Sequence, residues 1–121
     1  REDLKLNLTA QIAKCILDVS DNLKRITEAA QKSNDIKAII EGIEMTSKEI
    51  SKVLSSLEIE KVEVIGKPFN PNIHEFGGSR DMPELDDNIV IDVIRDGYML
   101  KNKVIRPAIV VVNSKKETTS T

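Results

Sequence analysis

The sequence has no tryptophan, and among its 121 residues only one tyrosine, Tyr98, two phenylalanines, Phe69 and Phe76, one cysteine and one histidine. Each shortage excludes something. Three rings are too few to line a deep pocket for a small ligand, so the apolar bulk must come from Ile, Val and Leu, which suits helix pairing and small sheets. Cys15 alone excludes a disulfide framework, and its place in an apolar helical pattern predicts a buried, inert thiol. With His74 as the sole histidine, a zinc site of soft ligands cannot be completed, and neither a metal nor any other cofactor is expected. Long apolar runs are missing too. The longest, Pro107 to Val112, is far below the ~20 residues of a membrane-crossing helix, so no membrane span is expected. Eighteen basic residues face twenty acidic ones for a net charge of −2, and basic residues do not gather beyond Lys115-Lys116, so no nucleic-acid footprint is visible.

What is present is a chain 40% apolar and 31% charged, the balance of a folded protein rather than a disordered one. The length allows one ordinary domain or two very small ones. It begins with Arg1 rather than Met, so a fragment is expected, with any targeting segment lying upstream. From Leu8, apolar residues recur at Ile12, Ile16, Val19, Leu23, Ile26 and Ala30, alternating steps of four and three. That spacing predicts a helix over Glu2 to Ala30, about 45 Å long, with one narrow seam. Gln31 to Asp35 interrupts it with polar turn formers, and Ser33 to Asp35 offers capping side chains for a second helix. Its seam runs through Ile36, Ile39/Ile40, Ile43, Ile50, Val53/Leu54 and Leu57. The short connection makes an antiparallel hairpin, and two seams without a cover call for a second copy. The expected dimer is a four-helix bundle or coiled coil with Ile12, Ile16, Val19, Leu23, Ile36, Ile43 and Ile50 at the interface. Gly42 interrupts the second helix, where it costs about 1 kcal/mol against Ala, so a close helix approach is expected there.

After Leu57 the pattern turns to short β-branched runs, Ile59 to Ile65, Ile89 to Ile94 and Val104 to Val112, with turn signals at Asp96-Gly97 and Lys101-Asn102. The fold class is therefore α+β: a helical region over 1–57, a small all-β domain over 58–113 and a disordered polar tail over 114–121. Read as one strand, Val104 to Val112 is apolar on both faces, as is much of Ile89 to Ile94. A small sheet with no helix of its own cannot bury both faces, which leaves an apolar patch beside Arg106 and Asp92 suited to binding a protein.

No catalytic constellation can be assembled. His74 lies in the turn-rich stretch after Asn70-Pro71-Asn72-Ile73, and a structural hydrogen bond is the expected role rather than acid–base or metal work. Asp81, Glu84, Asp86 and Asp87 lack the spacing of a calcium loop and read as a solvated acidic loop. Gly77-Gly78-Ser79-Arg80 has the small residues of a phosphate turn, but no Lys-Ser/Thr pair follows.

Four stretches resemble one family. Ile16 to Arg25 is similar to a helix ending in Asp-x-Leu-x-Arg; Glu41-Gly42-Ile43-Glu44-Met45-Thr46 to a Glu-Gly-Ile/Val-Glu-Met/Leu-Thr helix start. Phe69-Asn70-Pro71-Asn72-Ile73-His74 matches a Phe/Leu-Asp/Asn-Pro-x-x-His turn, and Gly97-Tyr98 with Arg106-Pro107-Ala108 a hairpin and strand. Together they resemble GrpE, the nucleotide exchange factor of DnaK-type heat-shock chaperones. The resemblance implies a homodimer that is not an enzyme. Its β-domain would dock on the nucleotide-binding domain of the chaperone and open the cleft so that ADP leaves. It also implies a bacterial cytoplasm or a mitochondrial matrix as the place of action. Carried over position by position, it makes Phe69, Pro71, Ile94, Lys103 and Val112 the chaperone-contact residues. The alternative from another class is a helical dimerisation adaptor whose β-domain binds some other protein. The chain departs from the family pattern at Phe76 to Arg80, where a strand looks interrupted. It departs again at Lys101-Asn102 in place of Asn-Gly, and at Glu58 in place of the glycine that often closes the second helix.

Overall fold

The computed structural model describes residues 1–116, and the last part of the expected tail, 117–121, lies outside the described residues. Two units meet at Leu57 and Glu58. The first is all helical: α1 spans Glu2–Lys32 and α2 spans Ile36–Ser56. No Gly or Pro precedes Gly42, and Glu2 and Asp3 at the start of α1 and Lys32 at its end suit the helix dipole. At Ser33 the backbone becomes extended, and its hydroxyl accepts the Asp35 N–H at 3.2 Å. Asp35 then caps α2 by accepting the Ala38 N–H at 3.1 Å, the role expected of this stretch.

The helices run antiparallel. Asn22 Nδ2 donates to Glu49 Oε2 at 2.9 Å, and a methyl added to Gly42 would stand 3.0 Å from Ile26 Cγ1, so Gly42 is the point of close approach. Asp18 and Val53 line the same cleft near the end of α2, so the N-terminal part of α1, with exposed Leu4, Leu6 and Leu8, runs on beyond it. The hairpin buries little by itself. No residue of α1 is buried and only Thr46 of α2 is, its hydroxyl donating to the Gly42 carbonyl at 2.9 Å.

Among the described residues the second unit holds six strands: β1 (Ile59–Lys61), β2 (His74–Arg80), β3 (Val90–Arg95), β4 (Tyr98–Leu100), β5 (Lys103–Arg106) and β6 (Ala108–Asn113). They form two three-stranded sheets, ordered β1-β4-β5 and β2-β6-β3, with β2 parallel and β3 antiparallel to β6. The run Val104 to Val112, read from sequence as one strand, is two strands in different sheets. Pro107 stands at the break, where its missing N–H would have cost a ladder bond. The core is Val64, Val90, Ala108, Val110 and Val112, with Val62, Phe69 and Val93 packed against it. The expectation that both faces of this run could not be covered is therefore overturned for β6. Val110 and Val112 face the core, and Val111 on the other side is only 7% exposed.

Two further corrections concern local chemistry. Phe76 to Arg80 does not interrupt a strand: β2 continues through it with a bulge between Phe76 and Gly78. A methyl on Gly77 would lie 2.6 Å from Ile94 Cδ1 and 2.7 Å from Ile109 Cγ2, so the bulged strand requires glycine to let those side chains settle over it. Glu58, just after α2, has φ 63°, the left-handed conformation a glycine takes without strain. Its ion pair with Lys101, at 3.7 Å and largely exposed, offsets little of that. Glu58→Gly is expected to stabilise the protein by about 0.5–1 kcal/mol, read as a higher urea midpoint at unchanged slope. Ser114, where the polar tail was expected to start, donates its N–H to the Arg80 carbonyl at 2.8 Å, and Lys115 N–H to Asp87 Oδ1 at 2.9 Å.

Candidate docking surface

Among the described residues, the interior of the β-domain is tightly filled. The cavity between Val64, His74, Tyr98 and Ala108 holds about 10 Å³, the limit for one water molecule. Two places on the surface of the β-domain are organised.

The first is the outer face of the β2-β6-β3 sheet. The registers set Glu75 and Arg95 on either side of Ile109, and Asp92 beside Val111 with Arg80 beside Asn113. Because β6 is the middle strand, each ion pair reaches across it: Arg80 to Asp92 at 2.9 Å and Arg95 to Glu75 at 4.0 Å. The Val93 N–H and then the Arg80 guanidinium hold the Asp92 carboxyl below the usual carboxylate range. Ile94, two residues after Asp92, lies on this same face over Gly77 beside Ile109 and stays 60% exposed, and the bulge between Val93 and Arg95 brings Arg95 there as well. An exposed isoleucine between two bridging ion pairs is an apolar centre with a charged rim.

The second is the turn leading into β2. Asn70 organises it: its carbonyl accepts the N–H groups of Ile73 at 3.1 Å and His74 at 2.8 Å, and its Oδ1 accepts that of Asn72 at 3.0 Å. Its own N–H goes to His74 Nδ1 at 3.0 Å. Phe69 is anchored through its N–H on the Asn88 carbonyl at 2.9 Å and sits half-buried on the core, its ring 5.8 Å from His74 and edge-on to Phe76 at 6.1 Å. Pro71 is exposed. Burial, and then the Lys67 ammonium, push the His74 imidazole below its ordinary value. The structural hydrogen bond expected of His74 is thus present, and the ring is only 6% exposed.

Of the five residues carried over by resemblance, Phe69 and Pro71 share this turn, Ile94 is on the outer sheet face, and Lys103 opens β5 with its side chain exposed. Val112 belongs to none of these surfaces. At 4% exposure it is part of the core, on the inner side of β6, and contributes packing rather than contact. The sequence reading also passed over Phe76, 59% exposed against Phe69, and the ion pairs that frame Ile94. Phe76 carried a signal, being the one ring within the stretch taken for an interruption.

On the helical unit, the seam residues Ile12, Ile16, Leu23, Ile36, Ile43 and Ile50 are exposed, and Val19 is half-buried. Between the helices lies an open groove of about 370 Å³ whose lining includes Ile26, Ala29, Ile39, Gly42 and Met45. Cys15, expected to be buried, is half-buried on α1. Among the described residues no helix is long and apolar enough to cross a membrane.

The chain is α+β: a helical hairpin that leaves its seam open, and a β-domain of two three-stranded sheets with organised outer surfaces. A family model described as GrpE matches residues 1–114, and the chain belongs to the GrpE family. It is 34% identical over 116 residues to a protein GrpE of Carboxydothermus hydrogenoformans, covering 96% of this chain and 59% of that one. It is 36% identical over 99 residues to one of Saccharophagus degradans, covering 81% and 51%. Against one of Vibrio vulnificus the identity is 37% over 103 residues, covering 84% and 52%. The chain thus spans between half and three-fifths of the length of these relatives.

Proposed function

We propose that this chain is the dimerising and chaperone-docking part of an adenine-nucleotide exchange factor. In this reading the helical hairpins of two copies form a four-helix bundle through Ile12, Ile16, Val19, Leu23, Ile36, Ile43 and Ile50. The β-domain docks on the ATPase domain of a DnaK-type chaperone through Phe69, Pro71, Ile94 and Lys103. Membership of the GrpE family supports it, and the observation that carries it at the level of residues is Ile94, exposed at the centre of a charged rim on the outer face of the β-domain.

No covalent step is required of the factor. A chaperone cleft exists in closed and open states, and a ligand shifts that balance only by its differential affinity for the two. Docking that prefers the open state by about 3 kcal/mol weakens ADP binding roughly 150-fold, and by linkage ADP weakens docking by the same factor. Calorimetric titration of a DnaK-type chaperone with this chain is therefore expected to give much tighter binding without nucleotide than with saturating ADP. Equal affinity in the two states would remove exchange from the reading, and no binding in either would leave a dimerisation adaptor for another protein. Lys103→Glu reverses an exposed charge in this scheme. Its expected effect is an association rate lower by about tenfold at low salt, converging on the wild-type rate as salt rises, with an unchanged unfolding midpoint. Stopped-flow association across a salt series checks it, and a rate equal to wild type at low salt would take Lys103 out of the surface.

A further inference from the structure

The geometry points to His74 as the positioning residue of the docking turn: its unprotonated Nδ1, by holding the Asn70 N–H, keeps Phe69 and Pro71 in place, and acid releases them. This deepens the proposed function and rests on that reading for what the turn does. The lock itself is in the structure. Asn70 N–H donates to His74 Nδ1 at 3.0 Å while the His74 N–H returns to the Asn70 carbonyl at 2.8 Å, so two bonds close the turn that carries Pro71 between them. Phe69 precedes Asn70 directly, and its ring leans on both His74 and Phe76.

Nδ1 can accept only while it carries no proton, which fixes the proton of the neutral ring on Nε2. A second proton would set two N–H groups against each other and leave the Asn70 donor without its partner. The surroundings offer that proton no compensation. Tyr98 on β4 and Arg106 on β5 line the small cavity next to the ring, Ala108 of β6 closes it, and Lys67 approaches from the preceding segment. Among the described residues no carboxylate lines that cavity. Glu75, the next residue on β2, pairs instead with Arg95 on the outer face. Burial and Lys67 both hold the imidazole below the free value of about 6.5, so the neutral ring stabilises the folded turn fully above that pH. The contribution is lost as pH falls through the lower value of the folded state.

Nuclear magnetic resonance of this chain in 15N-labelled form, from pH 7.5 to 5.0, tests the lock without any partner. The Nε2–H tautomer is expected at pH 7.5, with the Asn70 amide proton shifting at the same midpoint as the ring, below 6.5. Affinity for a DnaK-type chaperone is then expected to fall between pH 7.5 and 5.0 with that same midpoint, by less than about tenfold at pH 5.5. His74→Asn, which keeps an oxygen acceptor near the Nδ1 place and cannot titrate, should flatten that profile to within about twofold, whereas a structural role alone would leave its slope. An Nδ1–H tautomer, an Asn70 amide indifferent to the ring, or a His74→Asn profile as steep as wild type would overturn the inference. If the chaperone does not bind at pH 7.5, the functional reading fails, and the ring and amide titrations still decide the lock.

Discussion

Replacing Asn113 with alanine is expected to destabilise the β-domain by about 3 kcal/mol, more than removing a methylene from its valine core would. Asn113 ends β6 at 1% exposure, and its carboxamide is the centre around which residues 82–86 wind. Oδ1 accepts the Met82 N–H at 2.8 Å, and Nδ2 faces the carbonyls of Asp86 at 2.8 Å, Met82 at 3.0 Å and Leu85 at 3.1 Å. Alanine would leave the Met82 N–H and the carbonyls of Leu85 and Asp86 without this partner, each worth about 1–3 kcal/mol if it stayed dry, while the Met82 carbonyl keeps the Leu85 N–H at 3.1 Å. Pro83 and Glu84 are exposed, so water can reach part of the loop and the loss stays near the lower end. Asn113→Asp should be no better, because a carboxylate oxygen would replace the donor that three carbonyls share. Urea unfolding followed by the fluorescence of Tyr98 is the measurement, and a loss below about 1 kcal/mol would show that the carboxamide is dispensable. The acidic residues that read as a solvated loop are therefore held by a buried amide from the far end of the chain. Nothing in their own spacing could reveal that.

The second large effect is expected at Ile43. It is 50% exposed on α2, at the centre of the seam proposed to meet a second copy. In a two-fold interface a substitution counts twice. Ile43→Asp is expected to cost about 2 kcal/mol per copy, about 4 kcal/mol per dimer, and so to weaken association roughly a thousandfold. Because the side chain is exposed within its own chain, the helix content of the subunit should fall little. Sedimentation across a dilution series of wild type and variant reads this directly. A wild-type chain that stays monomeric at every concentration would contradict the bundle, and an unshifted variant would move the interface off this seam.

The helical half of the fold was legible because its signals are local. The steps of three and four from Leu8 to Ala30 and from Ile36 to Leu57 report which side chains share a face, and Ser33 to Asp35 carry their own capping chemistry. Even the close approach at Gly42 followed from the cost of a glycine inside a helix. The β half was legible only in outline. Alternation says which residues of β6 lie together, but which face is covered depends on partners distant in sequence. That is why Val112, expected on an exposed face, is buried, while Ile94 is exposed on the outer face. The ion pairs that frame Ile94 depend on the register of β2 and β3 on opposite edges of β6, which no local pattern encodes. Gly77 and Gly78 read as an end to a strand and are instead its bulge. His74 was assigned a structural bond from its turn-rich context alone, whereas the identity of its partner, Asn70 N–H, needed the fold.

The account stands on one functional claim, that this chain docks preferentially on the open state of a DnaK-type chaperone. Stopped-flow release of fluorescently labelled ADP from such a chaperone, with and without this chain, tests it most directly. The account predicts release faster by one to two orders of magnitude at saturating chain, a factor within the about 150-fold that a 3 kcal/mol coupling allows. Release at the unassisted rate, with the chain bound or unbound, would contradict it.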